Sequence, residues 1–180
     1  MTIRSRKSLT KWVHTNCFGK AFLFLQKNTF MKKQTLLFML LGIAVVACKE
    51  DRDQAEVDRE KIEKYVLDNN LNTTVHSSGM HYLITTEGTG SNPSANATVK
   101  VKYKGYFLDG VVFDQTTGST TVEFPLANLI EGWKIAIPLL KKGGKGTFIM
   151  PSALCYGNNP PPGIPANEVL IFDIELVDFK

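Results

Sequence analysis

From Gly79 onward, apolar and polar residues alternate in a way that predicts a sheet. Met80, Tyr82 and Ile84 alternate with His81, Leu83 and Thr85, the two-residue period of a strand whose successive side chains point to opposite faces. After a loop at 88–96 (GTGSNPSAN), Val99, Val101 and Tyr103 alternate with Lys100, Lys102 and Lys104, which predicts a half-buried strand with a solvated lysine face. Leu108-Asp109-Gly110 turns the chain into a strand at 111–113, and a Thr/Gly-rich loop over 115–120 leads to another at 122–124. Strands at 147–150 and 169–177 follow, with Leu170, Phe172, Ile174 and Leu176 on one face of the last. Only 130–140 (IEGWKIAIPLL) has helical spacing, bringing Trp133, Ile137 and Leu140 together before Gly143-Gly144 stops it. The expected fold is α+β, five or six strands of twisted antiparallel sheet wrapped around one short helix.

Upstream the pattern changes. Residues 53–68, within KEDRDQAEVDREKIEKYVLDNN, read as a helix whose apolar stripe is only Ala55, Ile62, Tyr65 and Val66. So thin a stripe predicts a solvated spacer or loosely docked arm, with an oligomerising helix as the alternative. Earlier still, Met31-Lys32-Lys33 precedes twelve apolar or small residues at 36–47 (LLFMLLGIAVVA) and then Cys48. This is the pattern of a signal peptide, too short to span a bilayer comfortably. Val45-Val46-Ala47-Cys48 resembles the lipobox of bacterial lipoproteins, in which the cysteine is lipidated and becomes the first residue. The expected organisation is an upstream extension at 1–30, a signal peptide at 31–47, a lipid anchor, charged helix and tether at 48–78, and the main domain at 79–180.

Charge agrees with this division. Of 21 Lys and Arg, eight lie in residues 1–48 without any Asp or Glu, so the remaining 13 face 17 acidic residues and the net charge after Cys48 is −4. A nucleic-acid partner is poorly supported by such a balance. With Cys17 in the leader and Cys48 lipidated, the mature chain keeps one thiol, Cys155, and forms no intrachain disulfide. Cys155 sits between Leu154 and Tyr156 as a small buried residue; His14 lies in the leader, and His76 and His81 precede the main motifs. Paired carboxylates, metal-spaced Cys/His clusters, phosphate-binding glycine loops and Ser-His-Asp arrangements are all missing from the sequence. No cofactor or metal is expected. What remains is aromatic.

Four blocks carry a resemblance: YKGYFLDGVVFD (Tyr103 to Asp114), the F-P-L-x-x-L-I-x-G-W pattern (Phe124 to Trp133), LLKKGGKGTFIMPSALCYG (Leu139 to Gly157) and GIPANEVLIFDIEL (Gly163 to Leu176). In order and spacing they resemble the FKBP family of peptidyl-prolyl cis-trans isomerases, over about residues 94–180. The resemblance implies a pocket between sheet and helix, with Trp133 as floor and Tyr103, Phe113 and Phe172 as walls. It further implies that the Tyr156 hydroxyl and the Ile130 N–H receive a substrate carbonyl, that Asp114 is the pocket aspartate, and that Leu129 and Ile164 are aliphatic contacts. Val122 stands where many relatives carry an aromatic wall, which widens one side; Asn128 replaces an acidic rim residue, and Gln115 a common Ser.

The implied activity is rotation about Xaa-Pro bonds in unfolded or partly folded polypeptides, at a membrane through the lipid on Cys48. The alternative is a non-catalytic peptide-binding module on the same anchor. Lys49-Glu50-Asp51 resembles a surface-sorting signal, so the expected place is the cell envelope, at the outer membrane, facing the periplasm or the exterior. The run Pro160 to Pro162 with Pro165 reads as a stiffened rim, since fixed φ angles lower unfolded-state entropy and proline offers no N–H to compete for a substrate carbonyl.

Overall fold

The structure, a computed structural model, describes residues 53–180; the signal sequence expected at 31–47 and the lipid site at Cys48 lie outside the described residues. Among these, seven strands form one antiparallel sheet. Its order is β1 (Thr74–Val75), β2 (His81–Thr86), β6 (Lys145–Met150), β7 (Leu170–Phe179), β3 (Thr98–Phe107) and β4 (Val112–Gln115), with β5 (Val122–Pro125) on the same edge of β3 as β4. β3 is the spine. It pairs with β7 from Val99↔Phe179 to Phe107↔Leu170, while its other edge gives residues 98–101 to β5 and 104–106 to β4. Irregular register at Lys100/Val101 and at Gly105/Tyr106 bends the spine locally.

One face of the sheet carries the main core. Val99, Val101, Phe148, Met150, Leu170, Phe172, Ile174 and Leu176 are buried there against α2 (Glu131–Ala136) and the 3-10 turn Ile137–Leu139. The helix expected over 130–140 is therefore shorter. Ile130 is its extended N-cap (φ −60°, ψ 153°), and Pro138, which has no N–H to give, tightens the last turn to 3-10 form. Gly143, at φ +77°, then turns the chain so that its N–H reaches the Leu176 carbonyl at 2.7 Å.

The opposite face carries a second, smaller core. Ile149, Ile171 and Tyr106 lie side by side across β6, β7 and β3. Helix α1 (Gln54–Asp68) lies over them through Ile62, with Val169 buried and Tyr65, Val66, Leu71 and Leu108 packed around it. Asp53 caps α1 by accepting from the Ala55 N–H, and at the other end the Asn69 side chain donates to the Tyr65 carbonyl before Asn70 (φ +51°) reverses the chain. The expectation of a solvated spacer is corrected: Ile62 is 1% exposed and Asp58 is fully buried. A polar residue four positions before Ile62 reads as solvated in any hydropathy pattern, yet here it is the group most enclosed. β1, with only two residues, is likewise outside what periodicity can show.

Because Ile62 fills a closed site, Ile62→Ala should cost about 2–5 kcal/mol of stability, measured as a fall in the urea midpoint of the purified chain. A helix that merely floated in solvent would show a change within about 0.5 kcal/mol.

Candidate functional site

The indole of Trp133, 5% exposed, joins the short helix to three strands. Tyr103 from β3 meets it edge-on at 5.2 Å between centroids, Phe172 from β7 at 5.5 Å and Phe124 from β5 at 6.2 Å. Phe113 from β4 continues the row with an edge-on contact to Phe172 at 5.7 Å, and Phe107 tilts against Phe113 at 5.1 Å. Gly105 makes this possible. A Cβ there would stand 2.6 Å from Phe113 Cζ and 2.9 Å from Phe172 Cε1, so only a bare backbone lets the two rings meet.

Beside these rings lies a cleft of about 370 Å³ lined by Phe107, Val111, Val112, Phe113, Asp114, Tyr156, Pro161, Pro162, Gly163 and Ile164. Its far wall is the segment after β6. Pro151 leads into a 3-10 turn, Ser152–Leu154, and the Ser152 carbonyl accepts from both the Cys155 and Gly157 N–H, which leaves Tyr156 presented between them. The proline-rich stretch then forms a loop closed by the Asn167 N–H on the Gly157 carbonyl at 2.7 Å. Gly163 (φ +92°) and Asn167 (φ +56°) supply the left-handed backbone that this closure needs.

The polar groups are few. The Tyr103 hydroxyl donates to Asp114 Oδ2 at 2.6 Å, and burial first, then this bond, raises its pKa above the ordinary tyrosine value. Burial likewise raises that of Tyr156, with the Cys155 and Asp114 charges adding to it, so its hydroxyl stays a protonated donor. No acceptor for that hydroxyl occurs among the described residues. Ile130 accepts from the Trp133 and Lys134 N–H at the start of α2, while its own N–H has no backbone partner among the described residues. Cys155 is no nucleophile: burial and the nearby Asp58 push its thiol up to about 12.

Of the residues expected to form a site, Phe113, Asp114, Tyr156 and Ile164 line the cleft, and Tyr103, Trp133 and Phe172 form the aromatic base beside it. Leu129 and Ile130 pack on the core where the chain enters α2. Val122 is placed elsewhere. On β5 it pairs with Val101 of β3, and it is not among the residues lining the cleft; the ring that meets Trp133 from β5 is Phe124, two residues on and on the same face. Phe107, Val111 and Val112 are further lining residues that the sequence reading passed over. Val111-Val112 carried a signal, since two successive branched residues at a hairpin break the alternation and leave one without a core to enter; they are 56% and 38% exposed.

A sequence profile of FKBP-type peptidyl-prolyl cis-trans isomerases matches residues 89–177. The chain belongs to the FKBP family. Relatives include the FKBP-type peptidyl-prolyl cis-trans isomerase FkpA of Escherichia coli K12, 37% identical over 133 residues, covering 73% of this chain and 48% of that one. FkpA of Aeromonas hydrophila is 39% identical over 132 residues, 72% of this chain and 49% of that one. This chain therefore spans about half the length of the curated relatives it matches. Among solved structures, FkpA from Escherichia coli superposes with a TM-score of 0.64 at 35% identity, over 71% of this chain and 61% of that chain. A peptidyl-prolyl cis-trans isomerase from Pseudomonas syringae gives 0.61 at 27% identity, over 72% and 98%. The FKBP fold of one antiparallel sheet on a short helix is thus shared, and in this chain α1 covers the sheet's other face.

The displaced thiol of the FKBP domain has a consequence for stability. Below the ordinary thiol pKa of 9.0, Cys155 is protonated whether folded or not; above it the unfolded chain ionises first, so stability falls as pH rises from 9 toward 12. The raised values of Tyr103, Tyr106 and Tyr156 deepen the same loss from about pH 10. Urea midpoints taken at successive pH values should fall above pH 9, and Cys155→Ala should flatten the first part of that slope. Equal slopes in both proteins would contradict this assignment.

Proposed function

We propose that the chain is a peptidyl-prolyl cis-trans isomerase that accelerates Xaa-Pro rotation in unfolded or partly folded polypeptides and so assists folding. The observation that carries the reading is an aromatic cleft with a protonated tyrosine hydroxyl at its edge and no internal partner for it. Rotation about an amide faces a barrier of about 18–20 kcal/mol from resonance, and the bond before proline isomerises over tens of seconds or longer. No bond is made or broken. At the twisted geometry the nitrogen is pyramidal and charge separation is reduced, so an apolar wall suits it better than water.

In this reading Trp133 and Phe172 floor the site and Phe113 is the wall against the proline ring. Tyr156 and the Ile130 N–H hold the substrate carbonyl, and Leu129 and Ile164 contact flanking atoms. The Tyr103–Asp114 bond fixes the carboxylate at the cleft margin, where it stands beside the rotating bond. Each tenfold in rate requires only about 1.4 kcal/mol of preference for the twisted form, which is within reach of one hydrogen bond strengthened at the transition state.

The signal-like segment and the lipobox-like Val45 to Cys48 support a second part of the reading: Cys48 carries lipid and holds the protein at a membrane of the cell envelope. Metabolic labelling with an alkynyl fatty acid should mark the wild type and not Cys48→Ala, which should leave the membrane fraction; an unmarked wild type removes the anchor.

Isomerase activity is read by cis-to-trans exchange of a short Leu-Pro or Phe-Pro peptide with purified full-length protein. Tyr156→Phe should lower kcat/KM about tenfold, the loss of roughly one hydrogen bond, and Phe113→Leu should lower it while the chain stays folded. No acceleration by the wild type ends the enzymatic reading, and tight peptide binding without exchange would replace it with a binding module. Unchanged rates in both variants would dismantle the site.

A further inference from the structure

Asp58 is the one fully buried carboxylate among the described residues, and nothing in the proposed chemistry uses it. It lies on α1, across the sheet from the cleft's aromatic floor. Its Oδ2 accepts from the Ser152 N–H at 2.8 Å and from the Ser152 hydroxyl at 2.6 Å, and its Oδ1 accepts from Gln54 Nε2 at 2.7 Å. No lysine or arginine forms an ion pair with it among the described residues. A buried carboxyl group held by neutral donors is a costly way to fasten a helix, and Ile62 beside it shows that this helix also packs by apolar contact.

The place of the bond explains the choice. Ser152 is the first residue after Pro151 and so the first backbone donor of the 3-10 turn that presents Tyr156. Such a leading N–H has no partner within its own turn, and a carboxylate is the strongest acceptor a protein can offer it. From 94 positions upstream, Asp58 therefore acts as the cap of this turn. The Ser152 carbonyl in turn takes the Cys155 and Gly157 N–H, so the residues on either side of Tyr156 hang on the residue that Asp58 holds. The far end of the rim loop is touched by the same helix: Gln54 Nε2 reaches the Asn167 carbonyl at 3.5 Å, and Lys61 lies 3.8 Å from Glu168. Tyr156, Pro161, Pro162, Gly163 and Ile164, one whole side of the cleft, lie between these two attachments.

We propose that Asp58 is a positioning residue for Tyr156: through Ser152 it fixes the 152–157 turn, and with Gln54 and Lys61 it makes α1 the support of the cleft's far wall. The inference deepens the isomerase reading and rests on it for its effect on rate. In peptide exchange, Asp58→Ala should lower kcat about tenfold with a smaller change in KM, because Tyr156 is displaced rather than the floor. Asp58→Asn, which keeps one acceptor oxygen, should recover part of that loss. In a Tyr156→Phe background the same Asp58→Ala change should cost less than twofold, since the hydroxyl it positions is already gone. An equal loss in both backgrounds, or wild-type turnover in Asp58→Ala, overturns the proposal.

Hydrogen exchange supplies a readout independent of turnover. In Asp58→Ala the amides at 153–157 and 167–168 should exchange at least tenfold faster while those of β3 and β7 keep their wild-type rates. Uniform acceleration, or none, also overturns it. If Asp58→Ala fails to fold, Ser152→Ala, which keeps the N–H bond and loses the hydroxyl, should give the same local pattern at smaller amplitude, and its absence is equally decisive. Should the wild type prove inactive, the isomerase reading fails while hydrogen exchange still decides whether Asp58 holds the turn.

Discussion

The edge-on packing of one indole against three strands is the constraint from which the remainder follows. α2 has six residues, far too few to persist as an isolated helix. It exists because Trp133 is held by Tyr103, Phe124 and Phe172, which come from β3, β5 and β7 and so require the sheet to be assembled around the helix. Each such ring pair contributes about 0.5–1.5 kcal/mol beyond the area it buries. Core and cleft are consequently one construction, and the rings that stabilise the fold are the rings that a substrate would meet.

The second constraint is the scarcity of polar groups near those rings. Tyr103 and Asp114 satisfy each other, and the four prolines of the rim bring no N–H of their own. Among the described residues the Tyr156 hydroxyl and the Ile130 N–H are donors without a hydrogen-bond partner. In the proposed isomerase, elimination of competitors would orient a bound carbonyl as much as attraction does, which fits a reaction that needs an angle held and no proton moved.

Much of this was legible in the sequence because the residues obey a local period. Val99 and Val101 alternate with lysines, Leu170 to Leu176 alternate along the last strand, and Trp133, Ile137 and Leu140 recur at helical spacing; all are buried where their pattern places them. Site residues follow from motif likeness, which transfers positions without their geometry. Val122 and Phe124 point to the same face of β5, and only the Phe124 ring reaches Trp133. The docking of α1 was hidden for a different reason. Its most enclosed residue is an aspartate, its acceptor role is defined by a serine in a remote turn, and no periodicity connects the two. Polar burial is invisible to hydropathy by construction.

The attachment of α1 bears on where this domain begins. The family profile opens at residue 89, but a fragment started there would bare the Ile149, Val169 and Ile171 face to water and strip Ser152 of its acceptor. The foldable unit is thus larger than the block the family profile matches, and a chimera that transplants that block into another scaffold has to bring the preceding helix along as part of the graft.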